Sequence, residues 1–188
     1  MNFKTIEKKV KNFVEDECKK PSSNYGYDPF IFHIIPVVNY AKKLADKFGA
    51  DKEIVILSAW LHDIGSFMCG RENHHLTGAK IAAEKLKEFG YPENKIKQVA
   101  DCILTHRGSQ KLPPKTIEGQ ILAEADAMSA FNDIAGLFQC AFVYEKLPRI
   151  EAKKSVKQKL QNKWNQLKLT GSKEMVKANY KAAILLLK

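Results

Sequence analysis

At 188 residues and 21.3 kDa the chain is long enough for one well-buried core, and 45% hydrophobic with 28% charged residues argues against disorder. No run of about 18 apolar residues marks a membrane span, and the opening Met1-Asn2-Phe3-Lys4-Thr5-Ile6-Glu7-Lys8 lacks the apolar core of a secretory signal. The formal charge of +10 is uneven: residues 145–188 hold 12 Lys or Arg against three acids, whereas residues 1–144 hold 19 against 18.

The pattern along the chain predicts helices throughout. Ile6, Val10, Phe13 and Val14 recur at helical spacing, and Asp28-Pro29 supplies an N-cap and first-turn pair for a second helix. That helix carries Val37, Ala41, Leu44, Ala45 and Phe48 on one face and stops at Gly49. Asp51 caps a third, whose nearly continuous run Ile54, Leu57, Ala59, Trp60, Leu61 predicts burial and closes on His62-Asp63. After an expected loop over Gly65–Glu72, a fourth helix is predicted from about His75 to Phe89, ending at Gly90. Pro92 opens a fifth that leads through Ile96, Val99, Ala100, Ile103 and Leu104 to His106. Arg107–Lys115, with Gly108, Pro113 and Pro114, is the clearest loop.

Thr116 caps the next helix, where Ile121, Ala125, Met128, Asn132 and Ala135 set the inner face and leave Asp126 one position beyond it. Lys153–Leu169 and Ser172–Leu187 are predicted as two further amphipathic helices around Thr170-Gly171-Ser172. Trp164, Leu167, Met175, Val176, Tyr180 and Ile184 suggest that this tail packs on the core with its lysines dispersed outward, which makes nucleic acid a possible but disfavoured partner. Strand-like alternation and internal repeats are absent from the sequence. Cys18, Cys69, Cys102 and Cys140 form no Cys-x-x-Cys pair and are expected to be reduced thiols of a cytoplasmic protein.

The chemistry concentrates in His33, His62, His74, His75 and His106, with Asp63 beside His62. An acid at the end of a helix opposes the helix dipole, so Asp63 needs another reason to be there, and a cation supplies one. Alone, His33 among Phe30-Ile31-Phe32 and Ile34-Ile35 suits a hydrogen-bonded core imidazole, and His106 a partner for a helix C-terminus. Asp126 is more telling, since a carboxylate among alanines is costly unless paired or metal-bound, and no Lys or Arg nearby in sequence offers an ion pair. His74 and His75 diverge by about 100° on a helix, so one of the two faces the site.

The order His33, His62-Asp63, His74-His75-Leu76-Thr77-Gly78-Ala79, His106, Ala125-Asp126 resembles the HD-domain superfamily of metal-dependent phosphohydrolases over about residues 28–135. The resemblance implies an all-α, HD-like helical bundle as one domain over residues 1–188, extended by the basic C-terminal helices of about 145–188. It further implies that His33, His62, Asp63 and Asp126 bind a divalent metal, with Asp63, His74 and His106 catalytic and able to complete a second metal or phosphate site. One or two ions per chain are expected, of Mn, Fe, Co, Ni or Mg, with zinc also compatible. A metal-activated water would attack a phosphate ester of a nucleotide or another small phosphorylated metabolite. Arg71, His75, Lys80 and Arg107 flank the histidines as candidate substrate ligands, Arg107 first because a guanidinium grips two oxygens.

Two departures limit how far the family can be narrowed and argue against two specialised substrate classes. Ser66 stands where the cyclic-dinucleotide phosphodiesterases carry Lys, and Gly90-Tyr91-Pro92 precedes His106 instead of lying where their Gly-Tyr-Pro stretch falls. The guanosine tetraphosphate hydrolases have an acidic pair where Ile64-Gly65 follows the doublet. The alternatives are a metal- or nucleotide-binding regulatory module without significant turnover, and a di-iron oxygenase on the same scaffold.

Overall fold

A computed structural model describes residues 2–107 and 112–188; Gly108 and Lys111, in the expected loop, lie outside the described residues. Among the described residues the chain is helical with no strand. Asn2 caps α1 (Phe3–Lys19), which buries Ile6, Val10, Val14 and Cys18 at helical spacing. The predicted second helix begins as a widened π turn, Phe30–Ile34, before α2 (Ile35–Phe48). Pro36 explains the widening: it has no N–H to return to the preceding turn, and the Ile35 N–H bonds Phe30 O instead. His33 sits on that turn. α2 stops at Gly49 in the left-handed region, φ 64°.

The Asp51 carboxylate accepts from the N–H groups of Glu53 and Ile54 to start α3 (Lys52–Leu61), buried at every residue from Ile54 to Leu61. This helix is the axis of the bundle, packing on α1, α2, and on the later α6 (Glu93–Thr105) and α7 (Ile117–Ser129). The expected loop after the His-Asp doublet is instead largely a short helix, α4 (Ile64–Cys69). Gly65 is not a turn residue but a point of close approach, where a Cβ would run into His74 O, Thr77 Oγ1 and Gly78 N at the start of α5 (His74–Glu88). Gly90 ends the α5 segment with φ 75°, Pro92 precedes α6, and Thr116 Oγ1 accepts from Gly119 N–H to cap α7.

The inner face predicted for the next helix was too long. α7 ends at Ser129, so Asn132 lies in a turn and Ala135 in a separate helix, α8 (Ile134–Gln139), followed by a second π turn, Cys140–Tyr144. α9 (Arg149–Gln166) and α10 (Ser172–Leu186) form the basic extension and turn at Gly171, φ 93°. They pack much as expected: Leu167 and Val176 are buried, and Trp164 stacks on Tyr180 at 4.3 Å. Met175 departs from expectation and is exposed. One connected apolar cluster runs from Ile6 in α1 to Leu187 after α10. No helix among the described residues is long and apolar enough to cross a membrane, and all four cysteines are free.

Candidate metal centre

Five helix ends or turns deliver the polar residues to one place. The π turn before α2 brings His33, the α3–α4 junction brings His62 and Asp63, the start of α5 brings His74, the end of α6 brings His106, and α7 brings Asp126. Asp63 is both the last residue of one junction and the N-cap position of α4, its carbonyl accepting from Ser66 N–H at 2.8 Å. Its side chain makes no cap bond and is left for the cluster.

The outer ring nitrogens fix the inner ones. His62 Nδ1 lies 2.9 Å from Ala59 O, His74 Nδ1 2.8 Å from Arg71 O, and His106 Nδ1 2.5 Å from Ile103 O. Carbonyls only accept, so each Nδ1 carries a proton and each ring, when neutral, presents a bare Nε2 lone pair. His33 follows through one relay. The Ser129 hydroxyl donates to Asp126 O at 2.8 Å, so at 2.9 Å it accepts from His33 Nδ1–H.

The four Nε2 atoms converge on one carboxylate. Asp63 Oδ2 is 3.3 Å from His33 Nε2 and 3.5 Å from His62 Nε2, while Oδ1 is 3.3 Å from His74 Nε2 and 3.9 Å from His106 Nε2. His33 and His62 hold their Nε2 atoms 3.1 Å apart, and His74 and His106 hold theirs 3.3 Å apart. Two lone pairs at that distance repel unless a cation lies between or beside them. The set therefore fits a divalent metal, as two groups sharing Asp63: His33, His62, Asp63 and Asp63, His74, His106. Asp126 flanks the first, with Oδ1 3.5 Å from His33 Nε2.

Titration follows from the same geometry. Burial opposes the charge on Asp63, yet His62, His33 and His74 hold its carboxyl well below the usual range. Burial lowers the His62 imidazole against the pull of Asp63, and burial with the neighbouring His62 pushes His106 down to about 4. His33 is raised, because Asp63 and Asp126 outweigh its burial.

The centre floors a cavity of about 730 Å³, within the range of small-molecule sites. Its walls carry Arg71, Arg107, Lys159 and Lys163 together with the aromatic Tyr25, Phe32 and Tyr144. Arg107 Nη1 donates to Glu72 O at 2.7 Å, and Arg71 lies 3.7 Å from Glu145. Of the adjacent histidines, His74 faces the cavity; His75 is buried beside it with an unpartnered Nδ1. Lys80 is exposed on α5, and neither it nor His75 lines the cavity.

One sequence expectation about Asp126 is corrected. The carboxylate does have an ion pair, with Lys163 Nζ 3.0 Å from Oδ2, and the cation comes from the tail whose lysines were expected to point outward. Burial raises Asp126, but Lys163 and then His33 hold its carboxyl far below the usual range. No local sequence signal pairs residues 37 positions apart.

The chain is similar to known proteins in sequence and in fold. Residues 30–130 match the family model described as HD domain. A curated relative, the tRNA (cytidine(56)-2'-O)-methyltransferase of Picrophilus torridus, is 29% identical over 143 residues, and the chain spans 70% of its own length but only 40% of that relative's. Among solved structures, Bacillus subtilis YpgQ in complex with ADP superposes with a TM-score of 0.77 at 18% identity, over 100% of this chain and 94% of that one. A predicted HD superfamily hydrolase from an uncultured Thermotogales bacterium is 25% identical, with a TM-score of 0.56 over 86% of this chain and 92% of that one.

Proposed function

This chain belongs to the HD domain family, and from that premise we propose that it is a metal-dependent phosphohydrolase acting on a nucleotide or another small phosphorylated metabolite. The observation that carries the proposal is the convergence of four Nε2 lone pairs on the Asp63 carboxylate, at the floor of a cavity with basic and aromatic walls. His33, His62, Asp63 and Asp126 would hold one divalent ion, and His74 and His106 with Asp63 a second. When bound, such an ion supplies Lewis acidity to a phosphoryl oxygen and makes a coordinated water more acidic.

The chain's own residues do the rest. Asp63, its carboxyl held well below the usual range, remains an anionic acceptor across the neutral range. The carbonyl-bound Nδ1 protons hold the rings of His62, His74 and His106, and Ser129 holds that of His33, so little reorganisation is needed as charge develops. Arg107, tethered through one N–H, retains donors for phosphate oxygens, and Arg71 stands on the same cavity. Tyr25 and Tyr144, edge to face at 4.9 Å, offer an apolar surface for a base or other flat group. The ADP complex of YpgQ, a protein of the same fold, supports the nucleotide part.

Two groups sharing a carboxylate would also suit the two irons of an oxygenase, but the basic walls favour an anionic substrate. The test is metal analysis of protein purified without chelator, followed by a phosphate-release screen over nucleotides with Mn, Co, Ni and Mg. Metal-dependent release is expected. Metal-replete protein that releases phosphate from no substrate would leave the regulatory-module alternative, and oxygen-dependent iron spectroscopy would favour the oxygenase.

A further inference from the structure

Lys163 is placed with more care than a surface ion pair requires. Its neighbour Trp164 is stacked on Tyr180 and set edge-on to Phe131 at 6.3 Å. Beyond the end of α9, the N–H groups of Lys168 and Leu169 both donate at 2.7 Å to Oε1 of Glu124, a buried carboxylate on the same helix as Asp126. The backbone at residue 163 is thus clamped to α7. Its side chain reaches beyond that clamp: the Lys163 stem is unbranched, a quarter exposed, lines the cavity and ends on Asp126 of the same helix. The result is a rigid mount for an ammonium on a flexible four-carbon stem.

The charge at that point is also informative. An ammonium 3.0 Å from a carboxylate that would ligate a divalent cation opposes that cation, since like charges repel most strongly where water is scarce. One divalent ion would balance Asp63 and Asp126; Lys163, like a second ion at His74 and His106, would make the floor of the cavity positive. A site for cations alone gains nothing from this arrangement. A site that must take an anion on top of the metal does, and Lys159, one turn earlier on α9, extends the same basic wall.

We propose that Lys163 is a phosphate ligand of this centre, delivered by the C-terminal helix, and that its ammonium exchanges Asp126 for a phosphoryl oxygen of the substrate. The inference rests on the phosphohydrolase function proposed above and adds to it a substrate-binding residue outside residues 30–130, the family-matched segment. It also gives the basic extension a role at the site: the enzyme's anion specificity is set partly by α9.

The test uses the full chain as wild type and as Lys163→Met, Lys163→Gln and Lys163→Arg. Each is melted without metal to establish folding, titrated with Mn²⁺ alone by calorimetry, and then, Mn-loaded, titrated with inorganic phosphate. For Lys163→Met, Mn²⁺ affinity is expected to tighten several-fold because a competing charge is gone. Phosphate affinity is expected to fall about tenfold or more, the loss of one charge-assisted hydrogen bond. Lys163→Arg should keep phosphate affinity within a few-fold of wild type, and Lys163→Gln repeats the test if the Met variant does not fold.

Opposite signs for the two ligands cannot arise from a lysine that merely orients Asp126. Unchanged phosphate affinity overturns the inference, as does Mn²⁺ affinity that falls together with phosphate affinity. Failure of the underlying function looks different: wild-type protein would bind Mn²⁺ and phosphate, with the Lys163 dependence intact, yet cleave no phosphate ester.

Discussion

Asp63 is the residue both candidate metal groups share, so Asp63→Ala should disable the two together. A ligand that binds only the folded state stabilises it by RT ln(1 + [L]/Kd), about 2.7 kcal/mol at a hundredfold excess over Kd. Unfolding entropy near 2.1 cal/mol/K per residue, over 188 residues, converts this to a rise in Tm of about 7 °C. If the substitution weakens Mn²⁺ binding about a hundredfold, the same Mn²⁺ concentration only equals Kd, which leaves about 0.4 kcal/mol and a rise of about 1 °C. The assay is differential scanning calorimetry of each protein with chelator and with Mn²⁺, so that any effect on the metal-free fold cancels within each pair. An Asp63→Ala protein that keeps the full rise would refute the shared-carboxylate geometry.

Other outcomes follow from the same structure. His74→Ala and His106→Ala should each retain about one ion per chain by elemental analysis and lose most turnover, because the group of His33, His62 and Asp63 is untouched; loss of all metal would place them in a single joint site. Gly65→Ala should cost about 3 kcal/mol or more, a Tm drop near 8 °C, since its Cβ would stand 2.6 Å from Gly78 N and the obstructing atoms are mostly backbone; a melting curve within 2 °C of wild type, roughly the effect of 0.8 kcal/mol, would contradict the α4–α5 contact. Oligonucleotides should bind no tighter than about 10 μM at physiological salt, the non-specific range; submicromolar, salt-sensitive binding abolished by Lys153→Glu, Lys157→Glu and Lys163→Glu together would make nucleic acid the substrate.

Local chemistry made most of the fold legible. Asp51 and Thr116 cap the helices predicted for them, Gly49 and Gly90 adopt the left-handed backbone that ends a helix, and the apolar run of α3 is buried throughout. What escaped was set by contacts between elements. α4 is six residues long, too short to show a period, and its Gly65 looks like a breaker until the approach of α5 explains it. α7 keeps an apolar rhythm past Ser129, but the chain turns there and begins α8 after the Asp133 cap.

The site divides in the same way. The order of histidines and aspartates pointed to His33, His62, Asp63, His74, His106 and Asp126, and all six meet within hydrogen-bonding or ion-pairing distance of at least one other. The sequence left open which of the adjacent histidines turns inward, because that depends on where α5 begins, at His74. Lys159 and Lys163 were invisible as site residues, since only the packing of α9 on α7 and α8 brings them back to the cavity.

A cluster of imidazoles and carboxylates that binds metal in order to hydrolyse phosphorylated substrates must show metal-dependent turnover. Its most direct test is a ³¹P NMR time course of ADP with chelator-stripped protein, to which Mn²⁺ is added in steps. No change is expected without metal, then release of inorganic phosphate or a phosphorylated product at a rate that rises with Mn²⁺ and levels once the sites fill, and no such rise in His62→Ala. ADP and related nucleotides that remain intact beside protein shown to hold both Mn²⁺ and nucleotide would contradict it.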